Sequence, residues 1–265
     1  MSDDYDLDAG PDPATRAAAA PEPTDPTDPS YAVGVGPGAP EYLLPRAARA
    51  LREADVVVGF GTVVDVVDER ASVGGVADGV VDGTETELLR CGYRDEAETL
   101  STFADRVADG ATGTAVLMGD PNHSGYQFLG KVEAAVDRPV RVVPGVSSLQ
   151  VAASRARTPM EATTFVTLHK SGSLADDLAR LRADAGERHL LVLPRPYDWM
   201  PGDVAAHLLD AGADPSLSAL VMERLTYETE RLTRTTLGEL ATEAGGTDEG
   251  STRFSDLSVL AVRAD

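Results

Sequence analysis

The chain has 265 residues, of which 42% are apolar, and a net charge of −21 from 44 acidic and 23 basic residues. At the usual ~150 residues per domain, this length fits two domains or one large one. The negative charge disfavours a nucleic-acid-binding function, because the protein would repel phosphate backbones. The charge is spread along the chain rather than collected in a tail, which we interpret as an acidic, halophilic surface suited to a salt-rich cytoplasm.

The sequence contains no apolar run close to the ~20 residues of a membrane span. Acidic residues stand where a signal peptide would carry positive ones, so we expect a cytoplasmic protein without membrane contact. The single cysteine excludes an internal disulfide, and the four histidines lack the spacing of a zinc site, so no protein-bound metal is expected. Residues 1–30, rich in Pro, Asp and Thr, predict a disordered acidic tail.

From Tyr31 onward, apolar strands alternate with helical segments. The first half predicts strands at 31–35, 56–59, 114–118 and 140–143 and helices at 41–53, 96–109, 126–136 and 148–156. After Thr158-Pro159 the pattern restarts, with strands at 163–168, 190–193, 219–222 and 257–262 and helices at 174–183 and 203–211. Such alternation predicts βαβ units. We therefore expect two α/β domains, 31–157 and 158–265, each a mixed or parallel sheet flanked by helices.

Three loops rich in glycine or proline follow predicted strands. The loop 34–38 (GVGPG) departs from a dinucleotide fingerprint, because Pro37 lacks an N–H and no acidic residue ends the next strand. In the loop 119–121 (GDP), Asp120 is either a ligand acceptor or an ordinary turn residue. In the loop 144–148 (PGVSS), Ser147 or Ser148 would make a normal helix N-cap. Side by side at strand ends, the loops 119–121 and 144–148 would form the floor of a ligand crevice.

Taken together, these loops resemble those of the tetrapyrrole methylase family. Its hallmarks are read here at 33–38 (VGVGPG), 53–59 (EADVVVG), 118–121 (MGDP) and 143–148 (VPGVSS). The resemblance covers about residues 31–262, and its second half is most similar to the cobalt-precorrin-7 C5-methyltransferase branch. That similarity lies at 147–156 (SSLQVAASRA), 165–172 (FVTLHKSG), 190–196 (LLVLPRP), 222–240 (MERLTYETERLTRTTLGEL) and 254–262 (FSDLSVLAV).

The resemblance implies an S-adenosylmethionine-dependent C-methyltransferase of cobalamin biosynthesis that methylates C5 of a cobalt-containing corrin precursor. It implies that the methyl donor lies in a cleft between the domains. The residues carried over by motif as cofactor-binding are Asp120, His123, Ser147, Ser148, Leu193, Pro194, Met222, Glu223 and Ser258. The loop Gly36, Pro37 and Gly38 would face the tetrapyrrole. A homodimer and a separate C15-methylating decarboxylase in the same pathway are also implied.

The substrate carries many carboxylates, so an acidic protein needs local cations at its site. Arg46, Lys170 and Arg195 are candidates for these contacts, with solvated surface charge as the alternative. His169 is either a general base, in view of its ordinary pKa of ~6.5, or a structural histidine. No catalytic residue is assigned, because methyl transfer requires orientation rather than a protein nucleophile.

Two departures leave the methylated ring carbon open. His169-Lys170-Ser171 stands where the branch more often has His-Gly-Arg, and residues 122–126 (NHSGY) differ from the expected aromatic or glycine pair. The alternatives are another precorrin or uroporphyrinogen methyltransferase, the related diphthine synthase, and a non-catalytic tetrapyrrole-binding protein. The intact GDP and PGVSS loops count against the last alternative.

Overall fold

The computed structural model describes residues 27–72, 86–123, 125–170, 172–196, 198–245 and 252–264. The chain forms two compact units that divide between Ser147 and Ser148. Residues 1–26 of the predicted tail lie outside the described residues. Ser30, which the tail prediction included, is instead fully buried in the first strand, and its N–H donates to the Pro139 carbonyl at 3.0 Å.

The first unit contains a five-stranded sheet in which every pairing is parallel, in the order β3-β2-β4-β1-β5. Most of its strands are short apolar runs, as expected when both faces of a parallel sheet are covered. The strands are β1 (Ser30–Gly34), β2 (Val56–Phe60), β3 (Glu87–Cys91), β4 (Gly113–Leu117) and β5 (Val140–Val143).

Helices cover both faces of this sheet. They are α1 (Pro45–Arg52), α2 (Gly61–Ser72), α3 (Glu96–Ala108) and α4 (Tyr126–Ala135). Val57 packs with α1 and α2, whereas Val56 and Val58 pack with α3 and α4. The division follows from the strand geometry, because successive side chains point to opposite faces.

The second unit contains a mixed sheet in the order β6-β7-β10-β8-β9, in which β6 and β7 are parallel and the other pairs antiparallel. Its strands are β6 (Thr163–Thr167), β7 (His189–Leu193), β8 (Ser218–Glu223), β9 (Arg231–Thr236) and β10 (Ser258–Val262). Its helices are α5 (Ser148–Ala156), α6 (Ala175–Asp184), α7 (Pro201–Asp210) and α8 (Leu237–Ala241). No helix of the described residues is long and apolar enough to cross a membrane.

Some elements differ from the sequence-based expectation. The helix expected from residue 41 begins at Pro45, because Pro40–Tyr42 forms a separate 3-10 turn and Leu44 is extended before the proline. The elements α2, β3, β9 and α8 were not predicted. Helix α2 is rich in valine, which favours strands, but Val63, Val64 and Val67 share one buried face.

The limit between the two units falls before α5, whereas the sequence-based boundary was placed after it, near 157–161. The reason is that α5 packs against β7 and β10 of the second sheet. Arg263 fixes the end of this helix by donating from Nη1 to the Ala156 carbonyl at 2.6 Å. That residues 31–157 and 158–265 are two separate domains stays a prediction.

Strand direction determines which loops gather at one edge of each sheet. In the first unit all carboxyl ends share an edge, which we call the first edge. In the second unit, β10 runs antiparallel to β7 and β8. The carboxyl ends of β6, β7 and β8 therefore lie beside the amino end of β10, at what we call the second edge.

The contact between α6 and α7 includes a histidine whose charge state matters for stability. The Arg182 Nε donates to the His207 Nε2 at 2.8 Å, and the His207 ring lies edge-on to Trp199 with centroids 5.1 Å apart. Burial, followed by the Arg182 charge, lowers the pKa of His207 below its ordinary value. The folded state therefore favours the neutral form of the His207 imidazole.

Because the folded-state pKa of His207 lies below the unfolded one, its favourable contribution is present above the unfolded pKa of ~6.5 and is lost as the pH falls below it. We expect His207→Gln to remove this part of the acid destabilisation. Thermal unfolding followed by circular dichroism from about pH 8 to about pH 5 should show a smaller fall in Tm for the variant than for the wild type. Parallel Tm curves would contradict the assignment.

Candidate functional site

The first edge brings together the three loops that the sequence singled out. Strands β4, β1 and β5 are neighbours in the sheet. The loop 34–38 follows β1, the loop 119–121 follows β4 and the loop 144–148 follows β5. The carboxyl ends of adjacent parallel strands are where open α/β sheets bind ligands.

Three glycines allow these loops to cross in backbone contact. A Cβ atom on Gly145 would lie 2.1 Å from the Gly119 carbonyl oxygen and 2.9 Å from the Gly34 carbonyl carbon. A Cβ on Gly34 would lie 2.4 Å from the same Gly119 oxygen. Any side chain at either position would push the strand ends apart. We call Gly34, Gly119 and Gly145 the glycine crossing.

The GPG loop is tied to the GDP loop by a pair of backbone hydrogen bonds. The Gly119 N–H donates to the Gly36 carbonyl at 2.9 Å, and the Gly36 N–H donates to the Gly119 carbonyl at 3.3 Å. Both residues have left-handed backbone conformations, with φ of 84° at Gly36 and 65° at Gly119. Glycine adopts these conformations without steric cost, which accounts for its presence in both loops.

Asp120 links the GDP loop to the PGVSS loop. Its carboxylate is largely buried, with the residue 8% exposed. One oxygen accepts from the Asn122 N–H at 2.8 Å and the other accepts from the Gly145 N–H at 3.0 Å. Both oxygens of the predicted cofactor ligand are therefore engaged by the protein backbone, and Asp120 holds two loops together.

The remaining first-edge residues lie around this carboxylate. The His123 N–H donates to the Asp120 carbonyl at 3.1 Å, and its half-buried ring places Nδ1 3.9 Å from the Asp120 Oδ1. Ser147 is buried at 3% exposure, and Ser148 is the first residue of α5. Pro37 lies between the glycines of the GPG loop. The structure thus brings Gly36, Asp120, His123 and Ser147 to one edge.

The second edge carries the site residues predicted in the second half. Leu193 ends β7 and Pro194 follows it, and Met222 and Glu223 end β8. Ser258 begins β10 directly opposite Glu223. Met222 is fully buried in the strand. The buried Ser258 Oγ, in a residue 4% exposed, finds no hydrogen-bond partner among the described residues.

Glu223 is occupied by two protein partners. Its carboxylate accepts from the Arg231 Nε at 2.6 Å and from the Arg231 Nη2 at 2.8 Å. The Ser255 N–H donates to the same carboxylate at 2.9 Å. Glu223 is 3% exposed. Because it is buried and hydrogen-bonded to both Arg231 and Ser255, it holds in position the chain that leads into β10. The sequence analysis missed Arg231, which β9 brings opposite Glu223.

The three candidate cations differ in their surroundings. Lys170 Nζ lies 2.6 Å from an Asp177 carboxylate oxygen. Arg195 forms a two-point contact with Asp198, which includes a 2.8 Å hydrogen bond from Nε.

Exposed Arg46 lies against Tyr31 instead, with Nη2 3.2 Å from the hydroxyl and the guanidinium 5.1 Å from the ring centroid. Among the described candidates, Arg46 is the one that is not held by a carboxylate.

His169 lies on the second edge, two residues after β6. Desolvation by the surrounding protein lowers its pKa although the residue retains an exposed surface. The Arg195 charge lowers the pKa further, and Asp256 opposes the shift. The lowered pKa favours the neutral imidazole, which is the form that a general base requires.

Comparisons with known proteins identify the family of the chain. Residues 31–241 match the family Tetrapyrrole (Corrin/Porphyrin) Methylases. The chain is 27% identical, over 214 residues, to the probable cobalt-precorrin-7 C(5)-methyltransferase of Methanocaldococcus jannaschii, covering 80% of this chain and 90% of that protein.

Two solved structures are similar across both units. The methyltransferase CobJ matches with a TM-score of 0.66 and 19% identity, covering 90% of this chain and 95% of its own. The uroporphyrin-III C-methyl transferase from Thermus thermophilus, complexed with S-adenosyl homocysteine, matches with a TM-score of 0.63 and 24% identity, covering 89% and 92%.

The chain belongs to the tetrapyrrole methylase family, and the family predicted from the loops is confirmed. It is therefore an S-adenosylmethionine-dependent methyltransferase of the tetrapyrrole methylase family. The predicted two-sheet α/β fold is confirmed as well. Two features fit the methyl donor. At the glycine crossing, three loop backbones meet at the first edge with no side chain between them, and the buried Ser258 hydroxyl has no hydrogen-bond partner among the described residues.

The glycine crossing gives a direct test by substitution. Gly145→Ala should destabilise the protein by about 3 kcal/mol or more, because the new methyl group overlaps the Gly119 carbonyl. Gly61→Ala is the matched control, since a Cβ there meets nothing within 4 Å at the start of α2. Urea unfolding should show a large loss for the first variant and none for the second. Equal stability of the two would show that the loops do not cross this closely.

The two hydrogen bonds of Asp120 give a second test. Asp120→Ala leaves the Gly145 and Asn122 N–H groups without their acceptor, which should lower the free energy of unfolding by about 2 kcal/mol. Asp120→Asn keeps one acceptor oxygen and should lose less. Asp95→Ala, which removes an exposed acceptor of the Gly92 N–H, is the control in the same urea titration. If the free energy of unfolding falls no more for Asp120→Ala than for the control, Asp120 does not link the two loops.

Proposed function

We propose that this chain transfers the methyl group of S-adenosylmethionine to C5 of cobalt-precorrin-7. The observation that carries the methyl-transfer part is the glycine crossing closed by Asp120, because it presents a rigid backbone surface at a ligand-binding sheet edge. The assignment to C5 is supported by the 27% identity to the probable cobalt-precorrin-7 enzyme over most of both chains. The second-half sequence motifs point to the same branch.

S-adenosylmethionine supplies an activated methyl group, so the chain's residues act mainly by binding, orienting and excluding water. We assign backbone groups of the 119–122 and 144–147 loops to the methyl donor, with Asp120 holding those loops in place. The Ser258 hydroxyl is assigned a hydrogen bond to the donor, since it is buried with no partner in the part of the chain that the structure describes, which is costly unless a ligand satisfies it. The proposed donor site is completed by His123, Ser147, Ser148, Leu193, Pro194 and Met222. Glu223 holds the chain that leads into β10 and so positions Ser258.

For the substrate, we assign Arg46 the first contact with a peripheral carboxylate, and we assign the loop Gly36, Pro37 and Gly38 a contact with the tetrapyrrole. Arg46 is already oriented by Tyr31 and does not have to leave a carboxylate. Lys170 and Arg195 would have to give up their contacts with Asp177 and Asp198 to bind a substrate carboxylate. The loss of those contacts would offset part of the binding free energy. The proposal also includes a homodimer, a high-salt cytoplasm and a separate C15-methylating decarboxylase.

The direct experiment incubates the protein with S-adenosylmethionine and cobalt-precorrin-7 in high salt. Mass spectrometry should show the gain of one methyl group, and NMR should locate it at C5. Turnover of the methyl donor without C5 methylation would contradict the proposed ring position.

A second candidate is methylation of another precorrin position or of uroporphyrinogen. It is favoured by the Lys170-Ser171 pair, which replaces the expected Gly-Arg and changes the groups that face the substrate. Uroporphyrinogen III, tested in parallel, is the discriminating substrate: methylation of it alone would select this candidate. If S-adenosylhomocysteine does not bind at all, the non-catalytic alternative replaces both.

A further inference from the structure

The first edge has two halves of different chemistry. Strands β4, β1 and β5 end in the glycine crossing and its polar loops. Strands β2 and β3, on the other side of β4, end in aromatic side chains. Phe60 is the last residue of β2, and Tyr93 lies two residues after β3. None of the motifs in the sequence analysis includes these residues.

Three rings run from the core to the surface. Phe128 on α4 is buried at 6% exposure, Phe60 is half-buried, and Tyr93 is 51% exposed. The Phe128 and Phe60 ring centroids lie 5.3 Å apart, and those of Phe60 and Tyr93 lie 5.0 Å apart. The planes are tilted by 53° and 50°, within the range that aromatic pairs prefer. We call Phe128, Phe60 and Tyr93 the aromatic ladder.

The turn that carries Tyr93 is anchored at both ends. The Gly92 N–H donates to the Asp95 carboxylate at 2.6 Å, and Cys91 before it is buried. After the turn, Glu96 at the start of α3 forms an ion pair with Lys131 on α4, the helix that also carries Phe128. An exposed ring held in this way loses little conformational freedom when a ligand covers it.

We propose that the exposed face of Tyr93 is a binding surface for one face of the macrocycle of the tetrapyrrole substrate. The inference rests on the tetrapyrrole substrate class of the proposed function. The surface is continuous with the site, because β2 adjoins β4 and Phe128 lies on the helix that follows the GDP loop.

A macrocycle with an apolar ring surface and carboxylates at its rim buries the ring surface and keeps its rim in water, which matches an aromatic side chain at an exposed edge. Arg94, next to Tyr93 and exposed, adds positive charge for the rim. The competing account is that Tyr93 only shields Phe60 from water, as single exposed aromatics often do.

The probe is uroporphyrin III, a stable flat tetrapyrrole, titrated in high salt and followed by its Soret absorbance. Tyr93→Ala should weaken binding about 5-fold, within the roughly 2- to 12-fold range of one aromatic contact. Tyr93→Leu, which keeps apolar area but loses the flat face, should also weaken it. Tyr93→Phe should bind as the wild type does.

Met160→Ala is the matched control, because Met160 is 52% exposed and precedes β6 at the end of that strand opposite the second edge. Calorimetry with S-adenosylhomocysteine should give the same affinity for all variants. Unchanged uroporphyrin III binding by Tyr93→Ala, or no binding by the wild type, overturns the inference. If the wild type does not bind S-adenosylhomocysteine, that result would instead contradict the proposed methyl transfer.

Discussion

The first unit depends on the contact of three backbones at the glycine crossing. Parallel strands place their ends side by side, but β1 and β5 can lie against the Gly119 backbone at the end of β4 only because Gly34 and Gly145 lack a Cβ. Asp120 then closes the arrangement by accepting from two loops at once. A buried carboxylate is tolerated there because both of its oxygens are hydrogen-bonded. The rigidity of this sheet edge is therefore built from backbone and one side chain.

The net charge of the protein does not favour binding of the proposed substrate. The chain carries −21, yet its proposed substrate is a polycarboxylate. Two of the three candidate cations are already held by carboxylates, and Arg46 is held by the phenol and ring of Tyr31. Recognition through apolar contact with the macrocycle faces would reduce the dependence on such cations. Salt would weaken the remaining repulsion, because it screens charges in water over ~10 Å at 0.1 M and less above that.

Much of this could be predicted from the sequence, and the exceptions have physical reasons. The glycine loops were found because loops that follow neighbouring strands must meet at one edge. The elements α2 and β9 were missed, since valine-rich residues 61–72 look like a strand and Arg231–Thr236 lacks a buried run. The role of Glu223 was not foreseen, because Arg231 and Ser255 reach it only through the antiparallel pairing and the chain entering β10. Contacts of this kind leave no local pattern.

The most direct test of the central claim is a crystal structure of the protein with S-adenosylhomocysteine. The account predicts the ligand against the backbone of residues 119–122 and 144–147, with the Asp120 carboxylate still bonded to the Gly145 and Asn122 N–H groups. Density for the ligand away from these loops, or Asp120 turned from Gly145 onto the ligand, would contradict it.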